Sequence, residues 1–500
     1  MPGLGLARAC AAERTEGDAG LRLRERSASH GRNEASARGA SGVTTKKRSR
    51  PKPWSRKKPL PARELALQIL VATESRSAYS DRLLETRLKE ADLKPEDAHL
   101  VTALVQGTLR RQGTLDHHLA FFARENWGGL PVWIRGVLRM GALQILFMDR
   151  IPARAAVDES VKLAKKYGHP GTAGLVNALL RKLAGGARAP YPDPETHPAE
   201  YLAVVHSHPR WLVERWVARL GREEAERLLV KDNEEPPLSV RPNLALARKE
   251  EILARLEGEG FHPAPAPNGG PVWNMGGGFV PSRSKAFREG LISLQDEAEA
   301  SVVPILDPRP GERVLDLCAA PGSKSAQIAE AVGAKGRVVA LERHPSRAKA
   351  LRSNLRERMR LGNVEVVCGD GTMPAVQGVF DRVLVDAPCS GLGVLRRRAD
   401  ARWRKDEQSI LSMAAQQQRL LEGGAAQVRP GGVLVYSVCS LEPEETSSVV
   451  ESFLKAHPEF TPEEVDRYLP SALRSGGFSM IASPQRNGTD GVFAARFRKR

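Results

Sequence analysis

Cysteine and aromatic residues are scarce in this chain, and long apolar runs are missing. The five cysteines, at 10, 318, 368, 389 and 439, include no CxxC pair, which argues against a zinc ribbon or finger and leaves no paired disulfide framework. A reducing, cytoplasmic setting is therefore expected. No apolar stretch approaches the roughly 18 residues that a membrane span needs. The N-terminus has no apolar core of a secretory signal. The dinucleotide fingerprint G-x-G-x-x-G is also missing, which excludes a standard NAD site.

What is present in excess is positive charge. The net charge is +17 over 500 residues, which points to a polyanionic partner. Residues 1–58 carry 15 Lys and Arg against 5 Asp and Glu, so much of the excess sits there. That segment is rich in Arg, Ser, Gly and Ala with almost no large apolar residues, and a disordered basic tail is expected. The length suggests roughly two to four domains.

Residues 59–185 read as helices throughout. Pro61 suits a helix start, and Leu65, Ile69 and Leu70 repeat on one face. Further helical patterns fall at 80–90, 95–112, 114–124, 131–148, 153–167 and 172–184. Arg110, Arg111, Arg181 and Lys182 are candidates for phosphate contact. His117 and His118 are adjacent, so they do not share a helix face as a metal pair would, and they read as structural. Residues 186–200 form a Pro-rich linker. Residues 201–294 hold two short amphipathic helices, with Trp211 and Trp216 as core. A small α+β subdomain follows, RRM-like or ferredoxin-like, with a strand at 238–240 and a helix at 248–257.

From 295 to 500 strand and helix patterns alternate, with strands expected at 313–318, 337–342, 364–368, 380–386, 433–438 and 491–497. This calls for a doubly wound, mostly parallel sheet with ligands at the C-terminal strand ends. The first strand runs into Cys318, Ala319, Ala320, Pro321, Gly322, Ser323 and Lys324, and then into a helical pattern. A buried strand, a glycine turn and a helix N-terminus make a cradle for a nucleotide-like cofactor. Lys324 is unfavourable for the helix dipole at that end, which favours a functional role. Glu342, about 20 residues past the turn, stands where a ribose-binding carboxylate belongs. Asp370 ends the third strand. Asp386 ends the fourth, with Pro388 and Cys389 just beyond, and Cys439 ends the fifth.

Two cysteines and an aspartate at neighbouring strand mouths suit addition to an electron-poor ring, because a thiolate is the nucleophile for that task. Cytosine C5 is such a case, being unreactive until a nucleophile adds at C6. The residues alone leave open which cysteine attacks. Arg396, Arg397, Arg398 and Trp403 follow near the mouth, and phosphate clamping with base stacking is expected of them.

DLCAAPGSK, the pair Gly369 and Asp370, DAPCSGLG and YSVCSLEPEE together resemble the RNA cytosine-C5 methyltransferases of the Sun/NOP type. Residues 139–183, ending in VNALLRKL, resemble the C-terminal half of the NusB-like RNA-binding domain. Together these narrow the likeness to the bacterial 16S rRNA cytosine-967 methyltransferases, the RsmB (Sun/Fmu) group, over roughly residues 60–500. The resemblance implies an all-α NusB-like domain, then a Rossmann-like α/β class I methyltransferase domain with a small α+β subdomain before it. It implies S-adenosylmethionine as methyl donor, no metal, and 16S rRNA as partner; a monomer suits a chain with its own RNA-binding module. By motif, residues 318–324 would surround the methionine and ribose portions of the donor. Glu342 would bind the ribose hydroxyls, Asp370 the adenine edge, and Asp386 would lie near donor and base. Cys439 would attack C6, and Cys389 would assist release. Ser323, Val438 and Glu342 stand where Gly, Thr and Asp are more frequent, and none of these departures removes a catalytic group. The same chemistry on tRNA, and a non-catalytic RNA-binding factor, stay open as alternatives.

Overall fold

The computed structural model describes residues 60–76, 79–124, 127–376 and 378–500. The basic tail expected over residues 1–58, with Cys10, lies outside them. The first helix, Ala62–Arg76, buries the stripe that its sequence announces: Leu65 and Ile69 are 1% exposed. Six more follow, Ser80–Glu90, Pro95–Arg110, Gln112–Ala123, Val132–Phe147, Ala153–Tyr167 and Pro170–Ala184. The last begins two residues before its expected start because Pro170 suits a first helical position and His169 precedes it as cap. Leu104, Leu115, Ile134, Leu138, Val176 and Leu180 close one core among these helices, and Trp133 stacks on Tyr167 at 4.3 Å.

The connector holds three helices, not two: Pro198–Val205, Arg210–Leu220 and Arg222–Asp232. The first begins inside the stretch expected as linker, again with proline in its first turn. Trp216 is buried in the connector's core, and Trp211 packs partly buried against it. Next comes a small antiparallel sheet of β1 (Leu238–Pro242), β2 (Ala264–Pro265), β3 (Trp273–Met275) and β4 (Ile292–Leu294), in the order β2-β3-β1-β4. The Lys249–Gly258 helix packs on it through Ile252 and Leu256.

The large sheet contains β5 (Arg313–Asp316), β6 (Arg337–Glu342), β7 (Val364–Cys368), β8 (Phe380–Asp386), β9 (Val428–Val438), β10 (Phe460–Pro462), β11 (Ser479–Ala482) and β12 (Val492–Lys499). Its parallel part runs β7-β6-β5-β8-β9. β12 joins β9 antiparallel, and β10 and β11 share the outer edge of β12. β6, β7 and β8 match the sequence expectation end to end. β5 stops two residues early, where the cofactor-type turn begins. β9 starts five residues early, through Gly431 in a left-handed conformation. β10 and β11, of three and four residues, carry too short a pattern to be read in sequence. Among the described residues no helix is long and apolar enough to cross a membrane.

One segment joins the helical domain to the large-sheet domain. Ala399 belongs to the core of the helical domain, Asp400 bonds to Ser80, and Arg404 donates to the Thr73 carbonyl at 3.1 Å.

Candidate active site

β5, β8 and β9 lie side by side, and the order of strands reverses between β5 and β8. Loops leaving the C-terminal ends of parallel strands diverge at such a point and open a crevice. The glycine turn leaves β5 there, Cys389 follows β8, and Cys439 follows β9.

The turn is shaped for close approach. Gly322 has φ 111°, and a Cβ there would come within 2.8 Å of Leu351 Cδ1, so only glycine fits. The Ala319 N–H bonds to the Leu341 carbonyl at 2.9 Å, and Asn354 Nδ2 donates to the Pro321 carbonyl at 2.9 Å. The Ser323–Val332 helix starts immediately after, with its first N–H groups lacking helical partners.

Acceptor groups surround this turn. Asp316 is 1% exposed; the Ser325 hydroxyl donates to one of its oxygens at 2.6 Å, and the other oxygen has no hydrogen-bond partner. Burial pushes its pKa up to about 7. Glu342 accepts the His344 N–H at 2.9 Å and pairs with Arg347 at 3.2 Å. Asp370 accepts the N–H and hydroxyl of Thr372 at 2.9 and 2.8 Å, which hold its pKa below the ordinary carboxylate value. Burial, then the charges of Asp316, Asp386 and Glu342, push the Cys318 thiol far up, so it stays protonated. An unpartnered buried acceptor and carboxylates at successive strand ends fit a ligand rich in hydroxyl and amino donors.

Asp386 is in register with Ser437 of β9. Ser437 donates to one of its oxygens at 2.6 Å, and Lys324 Nζ lies 2.9 Å from the other. Glu299 flanks the lysine at 3.9 Å. Burial works against the lysine's charge, but Asp386 and Glu299 outweigh it and raise its pKa, so Lys324 is a fixed cation in the crevice. Lys324 draws the Glu299 pKa down, yet burial and the carboxylates of Asp490, Asp386 and Asp296 leave it raised.

The Cys389 and Cys439 sulfurs are 2.9 Å apart. The hydrogen bond to Cys439, then burial, push the Cys389 thiol well above its ordinary pKa, so Cys389 holds its proton. Gly393 donates its N–H to the Cys439 carbonyl at 3.2 Å. A Cβ on Gly393 would meet the Gly491 carbonyl oxygen at 2.3 Å.

One edge of the sheet thus gathers residues 318–324, Glu342, Asp370, Asp386, Cys389 and Cys439. The basic loop is a correction. Arg396 is 4% exposed, and its guanidinium bonds to Asp490 at 2.7 Å, the Gly488 carbonyl at 2.8 Å and Asp296 at 3.2 Å. Arg397 binds the same two carboxylates at 2.6 and 2.8 Å. The Trp403 indole donates to the Leu109 carbonyl at 2.9 Å, with its ring against Gly113. Groups held by internal partners do not clamp phosphates or stack bases. Arg398 alone of the four is exposed. In the helical domain, Arg110 donates to the Arg396 carbonyl and Arg111 lies over the Phe147 ring, while Arg181 and Lys182 stay exposed. His118 is buried and accepts the Ala189 N–H at 3.2 Å.

Sequence reasoning did not single out Asp316, Glu299 or Ser437. Asp316 left a signal, a charge inside an apolar strand. Glu299, in a run of alternating Glu and Ala, left none.

The chain is similar to known proteins over most of its length. The family model for 16S rRNA methyltransferase RsmB/F matches residues 303–498, that for the NusB family residues 60–185, and that for the RsmF/B-like ferredoxin-like domain residues 208–269. The chain is 34% identical over 446 residues to the probable ribosomal RNA small subunit methyltransferase B of Bacillus subtilis, covering 88% of this chain and 98% of that one. It is 31% identical over 407 residues to the ribosomal RNA small subunit methyltransferase B of Erwinia tasmaniensis, covering 81% and 91%. The crystal structure of PH0851 superposes with a TM-score of 0.74 at 30% identity, covering 89% of this chain and 100% of that one. Identity at this level over nearly the whole length of a relative makes the chain a member of the 16S rRNA methyltransferase RsmB/F family, and its methyl donor is S-adenosylmethionine.

Proposed function

We propose that the protein methylates C5 of a cytosine in 16S rRNA, at the position equivalent to cytosine 967, through a covalent bond between Cys439 and C6 of the base. It acts as a cytoplasmic monomer, with the helical domain as an RNA-binding module. The observation that carries this reading is the pair of thiols 2.9 Å apart beside the Lys324–Asp386 pair. S-adenosylmethionine supplies the methyl group. Residues 318–324 hold its methionine and ribose portions, Glu342 its ribose hydroxyls and Asp370 its adenine edge.

In the resting pair Cys389 keeps its proton, 2.9 Å from the Cys439 sulfur. Cys439 gives up its thiol proton to solvent as its sulfur adds to C6, and the electron pair of the C5–C6 double bond becomes available at C5. Lys324 is the cation that balances the negative charge growing toward N3, and Asp386, which holds the lysine, positions the base by accepting from its N4 amino group. Once Cys439 is bonded to carbon its charge is gone, so Cys389 can release its proton to water. After the C5 electron pair has bonded the methyl group that the donor would supply, Cys389 takes the C5 hydrogen as a proton, the C–H pair re-forms the double bond, and the Cys439 thiolate is expelled.

Bisulfite sequencing of RNA from cells lacking the protein tests this. Loss of one 5-methylcytosine in 16S rRNA, restored by the wild type and not by Cys439→Ala, is expected. Loss at a tRNA site keeps the chemistry and overturns the substrate. No lost site favours a non-catalytic RNA-binding factor. With purified protein, RNA and methyl donor, Cys389→Ala is expected to trap an adduct that survives a denaturing gel, and Cys439→Ala is not.

A further inference from the structure

We infer that Glu445 is a positioning residue for both steps of this reaction, setting the spacing of the two thiols through the serine that follows each. The inference rests on the cysteine roles proposed above. Cys389 is followed by Ser390 and Cys439 by Ser440, and these are the two Cys-Ser pairs in the chain. Both serine hydroxyls donate to the same oxygen, Glu445 Oε2, and lie 3.3 Å from each other. The other oxygen accepts the Ser390 N–H at 2.7 Å and Gln417 Nε2 at 3.1 Å. Gln417 holds the opposite flank of Cys389, donating to the Pro388 carbonyl at 2.9 Å. It also accepts from the hydroxyl of Tyr436, three residues before Cys439 in β9, at 3.0 Å.

Glu445 is fully buried, and every donor reaching it is neutral. Its neighbours Glu442 and Glu444 are paired with arginines, so Glu445 alone of the three turns inward without a counter-ion. A buried carboxylate held by neutral donors is a poor stabilising device. It is a good geometric one, because donors from the loop after β8, the loop after β9 and the Glu407–Gln427 helix converge on two oxygens. An amide offers a single acceptor oxygen and cannot satisfy them all. The chemistry needs this precision: one sulfur must meet C6, and the other must then meet the hydrogen on the neighbouring carbon of the same ring. A displacement of ~1 Å is enough to lose about 100-fold in rate. The Glu445 charge also helps keep the proton on Cys389.

Single-turnover assays with 16S rRNA and S-adenosylmethionine separate the steps. Ser440→Ala is expected to slow adduct formation. Ser390→Ala is expected to let the adduct accumulate, as Cys389→Ala does. Glu445→Gln is expected to lower kcat by about 100-fold, with KM for RNA and Kd for the methyl donor within about threefold. Ser390→Thr and Ser440→Thr, which keep the hydroxyls, should restore each step. If Glu445→Gln does not fold, the serine variants carry the test. An intact Cys389→Ala adduct with both serine variants at wild-type rates, or with both steps slowed alike, overturns this inference alone. No adduct from Cys389→Ala overturns the cysteine roles and this inference with them.

Discussion

Ser80 in the helical domain donates its hydroxyl to Asp400, in the segment after Cys389, at 2.9 Å, and both residues are at most 2% exposed. The Ser80 N–H reaches the same carboxylate at 3.3 Å. The bond ties the helical domain to the segment after Cys389, and Arg404 pairs with the other Asp400 oxygen at 3.3 Å. Ser80→Ala leaves a buried carboxylate oxygen short of a donor. A loss of about 1–3 kcal/mol is expected, read as a lower midpoint in urea unfolding.

Arg396 and Arg398 are neighbours in sequence with opposite roles. Arg396→Ala strips the buried Asp490 and Asp296 of a counter-ion and is expected to destabilise by about 3–5 kcal/mol. Arg398→Ala removes an exposed charge. Its melting temperature should stay near wild type, while RNA affinity falls and the salt slope of binding shrinks by about one. Equal effects of the two on stability would contradict their different burial.

At Gly322 a side chain meets both a left-handed backbone and Leu351. Gly322→Ala is expected to weaken S-adenosylmethionine binding at least about tenfold, measured by titration calorimetry on the folded variant.

Asp232 gives the stability a pH dependence. Both its carboxylate oxygens are buried without hydrogen bonds. His208 Nε2 lies 3.7 Å away, and Arg402 donates to its backbone carbonyl instead. Burial raises its pKa to about 7, and burial keeps His208 neutral. The unfolded chain releases the same proton near pH 4. Between about pH 4 and pH 7 the folded chain holds a proton that the unfolded chain has lost. The Asp232 contribution to stability therefore falls by up to about 4 kcal/mol as pH rises through that window and is level above it, while His208, neutral in the fold and protonated in the unfolded chain below about pH 6.5, contributes with the opposite sign. Asp232→Asn is expected to gain stability relative to the wild type between about pH 5 and 7.5, seen as a difference between their urea midpoints that grows in the variant's favour.

Much of the site was legible because its residues follow strands whose apolar runs are unmistakable. β6, β7 and β8 carry Glu342, Asp370 and Asp386 at or just past their ends, and period and position found all three. The basic loop misled for a physical reason. The partners that bury Arg396 and Arg397 are Asp296 and Asp490, far away on either side in the chain. A local reading sees three arginines and a tryptophan and cannot see the carboxylates folded onto them. The clamp on the thiols was hidden likewise: Ser390 and Ser440 look like ordinary turn residues until β8 and β9 are laid side by side.

A chain is made from one end. The helices that precede Ala184 leave the ribosome long before Ala399, the residue that sits in their core, and before Asp400 and Trp403, which cap their surface. Until Ala399 is made, the core of that bundle lacks one of its residues. Its completion waits for the strand that bears Asp386 and the loop that bears Cys389. A finished helical domain is thus a record, written in packing, that the loop bearing Cys389 has been made and seated.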